Sequence, residues 1–173
     1  MKTLLTEQQL SDGVARMAAE IHDCYVGRPL TIVGVLIGSV VLLADLIRRL
    51  DIPLRVGMVQ AKSYEGTQSG PLTVSADMLS NVKGRDVLLV DDIFDTGNTL
   101  AQLVPRIEAL GPNNLKTAVL LRKEGRCQTT MQPDFVAFDI PDAFVVGYGL
   151  DYNDAYRNLR HIAALEEHEM PPG

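Results

Sequence analysis

The sequence predicts an α/β fold with a central, mostly parallel β-sheet flanked by helices, and three observations carry that prediction. Aliphatic and β-branched runs at Leu30–Leu36, Val87–Val90 and Leu115–Leu121 lack the alternation of a half-exposed strand, so they read as strands buried on both faces. Apolar stripes at helical spacing alternate with those runs, as right-handed crossovers between parallel strands require. Acids and hydroxyls cluster directly after Val90, where an open parallel sheet places its ligand crevice at the carboxyl ends of the strands. At 173 residues the chain suits a single domain, long enough to bury a core without disulfide or metal staples.

Each element has its own local reason. Thr6 and Gln9 form a capping box for a helix whose stripe is Leu10, Val14, Met17, Ala18 and Ile21, ending near Tyr25 with Gly27 as its stop. Leu30–Leu36 is the first buried strand. Gly38-Ser39 then makes a tight turn with Ser39 as a possible N-cap, and Val40–Leu50 reads as a helix apolar nearly all round, packed on the sheet. Pro53 breaks the chain before a strand at 54–61. The polar, glycine-containing stretch 62–71 reads as a mobile hairpin or lid, with 72–75 as its returning strand. A turn at 81–86 leads into the Val87–Val90 strand, which the two acids Asp91-Asp92 are expected to end. Leu100, Leu103, Val104, Ile107 and Leu110 mark the next helix, with Pro105 expected to bend it and Gly111-Pro112 to end it. Leu115–Leu121 is followed by the charged stretch Arg122–Arg126, and short strands are expected at Phe135–Ile140 and Phe144–Tyr148 around Pro141-Asp142. Asp151–Arg160 reads as a polar turn with a short helix, and the tail to Gly173 as frayed.

Composition narrows the function. Sixteen Lys and Arg against twenty-two Asp and Glu give a formal charge of −6, and no dense basic cluster is present, which argues against nucleic acid as a partner. The two cysteines, Cys24 and Cys127, are far apart and form no CxxC pair, so free, buried or partly buried thiols in a reducing compartment are expected. The N-terminus carries no signal-peptide apolar core. The longest apolar stretch, Leu30–Ala44, is broken by Gly34, Gly38 and Ser39, too interrupted to span a bilayer, which makes the cytoplasm the expected location and a membrane an unexpected partner.

The chemistry concentrates in Asp91-Asp92-Ile93-Phe94-Asp95-Thr96-Gly97-Asn98-Thr99. The helix-opening N–H groups, a glycine that allows close approach and the hydroxyls of Thr96 and Thr99 together suit a monoester phosphate. Asp91 and Asp92 suit the two hydroxyls of a ribose, and Asp95 is spaced to exchange a proton or face developing positive charge. A 5-phosphorylated ribose fits that order of groups. An Asp-Thr-Gly of an aspartic protease would need a second copy in an all-β fold, and paired acids of a receiver domain would leave the Thr-Gly-Asn-Thr loop without a role.

This stretch resembles the phosphoribosyl-diphosphate motif of type I phosphoribosyltransferases. Val35-Leu36-Ile37-Gly38-Ser39, Lys62-Ser63-Tyr64, Leu121-Arg122-Lys123, the run Ile140–Tyr152 and Arg157-Asn158-Leu159 make the chain similar to the hypoxanthine-guanine members, from roughly residue 4 to 165. The resemblance implies a single domain over residues 1–173 with a small hood from N- and C-terminal segments, about 1–10 and 123–173. It implies transfer of phosphoribosyl from 5-phosphoribosyl 1-diphosphate to hypoxanthine or guanine, with Mg2+ as cofactor, in a homo-oligomer (dimer or tetramer). Asp91, Asp92, Asp95, Thr96, Gly97, Asn98 and Thr99 would bind the ribose phosphate, with Asp95 as general acid/base near N7 of the base. Lys123, Phe144, Val145 and Asp151 would form the purine site, Lys123 donating to O6 and Phe144 stacking. Gly38, Ser39 and Arg157 would contact diphosphate, Asp151, Asp91 and Asp92 would meet the metal, and Ser63 and Tyr64 would belong to the lid. Two positions depart from the family: Ile37 stands where Lys or Arg is usual, implying weaker diphosphate binding or altered subunit coupling in an active enzyme, and Asp91 replaces the commoner Glu. A non-catalytic nucleotide-sensing regulator on the same fold is the alternative, disfavoured by the retained acids.

Overall fold

The computed structural model describes residues 1–60 and 82–169; the expected lid at 62–71, with Ser63 and Tyr64, and the strand at 72–75 lie outside them. Helix α1 (Glu7–Tyr25) opens on the Thr6–Gln9 capping box, both of whose reciprocal bonds are present. Strand β2 (Leu30–Leu36) leads to α2 (Val40–Ile47) and β3 (Leu54–Gln60); β4 (Asp86–Phe94) leads to α3 (Asn98–Glu108), β5 (Asn114–Lys123) and β6 (Phe135–Ile140). These five strands form one sheet in the order β3-β2-β4-β5-β6, every neighbouring pair parallel. The apolar runs are continuous because the sheet is covered on both faces. Ile32, Leu88, Val90 and Leu120 pack with α1 and α2, while Val33, Val87, Leu89 and Val119 pack with Leu100, Leu103 and Ile107 of α3. Full burial of each such side chain stabilises the fold by about 1.5–3 kcal/mol.

A second, antiparallel sheet of three strands is built from β1 (Lys2–Leu5), β7 (Phe144–Val146) and β8 (Ile162–Leu165), with β8 in the middle. It joins the two ends of the described chain: Ala164 lies opposite both Lys2 and Val145. β6 falls within the 123–173 range expected for the hood, yet it joins the large sheet.

Several local expectations need correction. The tail is not frayed through 162–165, because β8 is held on both edges. Residues 151–160 form turns and an isolated Tyr152–Ala155 bridge rather than a helix, with Asn153, Asp154 and Tyr156 at positive φ. α2 stops at Ile47, short of the expected Leu50. Most consequential, β4 does not stop before the acids: Asp91, Ile93 and Phe94 remain paired with Val119, Leu121 and Arg122 of β5.

Candidate active site

The crevice opens where two parallel strands part. β2 pairs with β4 only as far as Gly34 opposite Val90, after which β2 stays with β3 and β4 stays with β5. Successive connections also run to opposite sides of this point, which makes it the switch point of the sheet. Asp91 and Asp92 are the first residues past the split.

Asp91 is 5% exposed. Its Oδ1 accepts from the Asp92 N–H at 2.9 Å, and the Asp92 Oδ1 accepts from the Ile93 N–H at 2.8 Å. Burial, reinforced by the Asp92 charge beside it, pushes the Asp91 carboxyl well above the ordinary carboxylate range. Burial also raises Asp92, against the opposing pull of its bond with Asp91, backbone donors and the Arg157 charge. The fold thus holds two acids together at a cost, and a donor or cation brought to them relieves it.

Beyond β4 the chain turns into α3. Gly97, at φ +86°, precedes the helix, and a Cβ there would lie 2.5 Å from the Thr129 Oγ1, so glycine is required both for conformation and for space. No side chain caps the N-terminus of α3 and no acid lies in its first turn, leaving the positive end of the helix to the crevice. The Gln128 N–H donates to the Thr96 carbonyl at 2.9 Å and steadies this loop from the β5–β6 connection. A cavity of about 110 Å³ is lined by Asp91 and residues 93–100.

A neighbouring cavity of about 210 Å³ is lined by Asp92, Ile93, Asp95, Lys123, Phe144, Val145, Leu150 and Asp151. The large sheet supplies Lys123 at the end of β5, and the small sheet supplies Phe144 and Val145. Phe144 is 42% exposed and meets Tyr152 edge to face, with ring centroids 5.4 Å apart. Asp95 and Ile93 line both cavities. The Asp95 carboxylate is gripped from two sides: Lys123 Nζ donates to Oδ2 at 3.1 Å and Arg126 Nε to Oδ1 at 3.0 Å. Burial pushes Asp95 up, but the bonds and charges of Arg126 and Lys123 outweigh it and hold the carboxyl below its ordinary value.

The turn after β2 closes the other side. The Leu36–Ile37 peptide is cis, and Ile37 is 51% exposed. A Cβ on Gly38 would fall 1.6 Å from Asp92 Oδ2, and one on Gly149 2.2 Å from the Gly38 carbonyl oxygen, so the Gly38 backbone packs against the Asp92 carboxylate on one side and against Gly149 on the other. Ser39 is fully buried and its hydroxyl donates to the Val35 carbonyl at 2.6 Å; it caps no N–H and offers its oxygen to the turn rather than the crevice. Arg157 donates to the Gly149 carbonyl at 2.9 Å and pairs with Asp151 at 2.9 Å and Asp154 at 3.2 Å. Among the described residues, no three His, Cys, Asp or Glu side chains converge on a metal position, and no helix is long and apolar enough to cross a membrane.

The structure therefore gathers Asp91, Asp92, Asp95, Thr96, Gly97, Asn98, Thr99, Lys123, Phe144, Val145 and Asp151 around two adjoining cavities, with Gly38 and Arg157 against them. Sequence reasoning saw Arg126 as the end of a charged stretch and gave Asp142 no role, although both carry charge at this site. Their signal was weak: charges in turns, three and two residues past the ends of β5 and β6. Cys127, expected to be at least partly buried, is exposed.

Comparison with known proteins agrees with this fold. Residues 1–153 match the family model described as "Phosphoribosyl transferase domain". The chain is 39% identical over 165 residues to a hypoxanthine-guanine phosphoribosyltransferase of Staphylococcus epidermidis, covering 94% of this chain and 92% of the relative. A crystal structure of a hypoxanthine-guanine phosphoribosyltransferase from Bacillus anthracis, with a HEPES molecule in its active site, superposes with a TM-score of 0.88 at 36% identity, over 95% of this chain and 96% of that one. The hypoxanthine phosphoribosyltransferase of Trypanosoma cruzi in complex with the product IMP gives 0.89 at 37% identity, over 97% and 95%.

Proposed function

We propose a function from one premise: the chain belongs to the hypoxanthine-guanine phosphoribosyltransferase family. It is a purine-salvage enzyme that transfers the phosphoribosyl group of 5-phosphoribosyl 1-diphosphate to a 6-oxopurine, hypoxanthine or guanine, giving IMP or GMP and diphosphate. One observation carries the residue assignment. Asp95 is part of the wall between a cavity lined by an aromatic ring and a lysine and a smaller cavity at a helix N-terminus, an arrangement that suits the base and the phosphate of one nucleotide.

In this reading the bond from ribose C1′ to the diphosphate oxygen breaks as the bond to N9 of the base forms. The α3 N-terminus and the Thr96–Thr99 loop hold the 5-phosphate. Asp91 and Asp92 accept from the ribose hydroxyls, which supplies the donors that their burial calls for, and their charge favours a ribose with oxocarbenium character. Asp95, kept ionised by its two cations, accepts a proton at N7, and Lys123 donates to O6. Phe144 covers the base, and the backbone at Val145 reads its edge. Gly38, Ser39 and Arg157 form the diphosphate side, the Ser39 part through its backbone.

The donor set suits magnesium. Asp92 and Asp151 are hard oxygen donors lining one cavity, and this ion typically takes one or two carboxylates and completes its shell with water and substrate phosphates. Asp151, Asp91 and Asp92 would hold or face the ion, which when bound with the diphosphate would supply positive charge to offset that of the leaving group. The same reading places the enzyme in the cytoplasm as a dimer or tetramer with no nucleic-acid or membrane partner.

The test is a direct assay with 5-phosphoribosyl 1-diphosphate, magnesium and each of hypoxanthine, guanine and xanthine. IMP or GMP formation that stops on chelation with EDTA is expected; no nucleotide from any 6-oxopurine overturns the reading.

A further inference from the structure

Asp95 is the group on which the transfer chemistry turns, yet nothing in its own backbone aims it. The hydrogen bonds found on its carboxylate among the described residues come from two side chains, Lys123 on Oδ2 and Arg126 on Oδ1. Those two cations differ in position. Lys123 is 10% exposed and lines the larger cavity with Asp95, whereas Arg126 is 44% exposed and lies outside that lining. Asp142, in the turn between β6 and β7, joins the pair from the far side, at 3.6 Å from both the Lys123 Nζ and the Arg126 Nη1. Asp95, Lys123, Asp142 and Arg126 thus close a ring of alternating charge on the rim of the cavity. Asp92 and Asp151 are the other charged groups facing the same space.

We propose that Arg126 is a positioning residue for the transfer step: it fixes Asp95 Oδ1 from outside the cavity, so that Oδ2, beside the Lys123 ammonium, is the oxygen presented to the base. The inference rests on the functional reading above. The N7 and O6 atoms of a 6-oxopurine lie side by side on one edge, and an acceptor oxygen next to an ammonium matches that edge. When a base arrives, Lys123 turns one of its three hydrogens to O6, and its hold on Asp95 loosens. Arg126 makes no contact with the base, so its grip persists through that exchange. A guanidinium suits the task because it stays charged and its planar fork reaches Asp95 through Nε while Nη1 faces Asp142. The pairs are solvent-exposed on the Arg126 side, so they contribute little to folding, and the residue can be replaced without unfolding the chain.

The experiment compares wild type, R126Q and R126K in steady-state kinetics with hypoxanthine across pH. In R126Q, kcat is expected to fall about ten- to a hundredfold, the scale of a displaced catalytic group, while the KM for 5-phosphoribosyl 1-diphosphate stays at the wild-type value. With the Arg126 bond gone, burial raises the Asp95 carboxyl, so the acid limb of kcat/KM moves to higher pH and the loss deepens as pH falls. R126K keeps the charge and recovers most of kcat with the limb near its original position. Wild-type kcat and an unmoved acid limb in R126Q overturn the inference, as does a loss confined to the KM for the diphosphate substrate. Failure of the wild type to convert any 6-oxopurine overturns the functional reading instead.

Discussion

Asp91 and Asp95 are four positions apart on one strand and its turn, and the fold drives their carboxyls in opposite directions. At the floor of the crevice, Asp91 is shut away from water beside Asp92, and burial with like charge pushes it up. At the rim, Asp95 also feels burial, but Arg126 and Lys123 overcome it and hold it down. The difference teaches what each place is prepared for. In the proposed reading, the floor stores electrostatic cost that ribose hydroxyls or a cation would relieve on binding. The rim would keep a carboxylate ionised and ready to accept a proton before the base arrives.

Neutralising the rim carries the largest expected effect. Asp95→Asn should lower kcat by about a hundredfold or more, the usual contribution of a general acid–base group, while IMP binding measured by calorimetry changes far less. Equal losses in kcat and nucleotide affinity would erase the distinction between a proton-exchanging rim and a binding floor.

At the floor the two effects should part. Asp91→Asn removes a charged partner of the ribose and should lower kcat/KM by about ten- to a hundredfold, yet it should raise Tm at pH 7 by about 2–4 °C, the scale of 1 kcal/mol in a chain this size. The sign follows from linkage. A carboxyl whose pKa is raised by folding costs the folded state stability as pH rises from the ordinary value of 3.8 toward the raised one. The variant escapes that cost, so its advantage should shrink as pH is lowered. Thermal unfolding at pH 7 and pH 5 checks this, and a lower Tm at both would mean that the floor is not strained.

The smallest effect is expected beside the floor. Ile37 is exposed on the turn whose Gly38 backbone lies against Asp92. Ile37→Lys places a solvated cation there, worth under about 1 kcal/mol, so the KM for 5-phosphoribosyl 1-diphosphate should fall up to about fivefold with kcat little changed. An unchanged KM would show that the exposed turn does not reach the diphosphate.

The floor and the rim were not equally legible. The nine residues from Asp91 to Thr99 announce strand, turn and helix start in their own order, because periodicity, glycine and hydroxyls act on neighbouring backbone. Strand β8 left almost no signal: four residues, Ile162–Leu165, with partners at the opposite end of the chain and across a turn. The extension of β4 past its acids was hidden for the same reason, since the bonds that keep Asp91 in a strand come from Val119 and its neighbours on β5. Arg126 and Asp142 looked like ordinary turn charges until two loops brought Arg126 onto Asp95 and Asp142 onto Arg126 and Lys123.

By itself the sequence determined the parallel sheet, both of its buried faces, the glycine turn into α3 and the identity of the acids, because each depends on spacing within a few residues. The tertiary structure decided which acid is strained and which is held ionised. Burial and charge partners are properties of the folded neighbourhood: Asp91 acquires its state from being sealed beside Asp92 where β2 and β4 part, and Asp95 from two cations carried on another strand and loop.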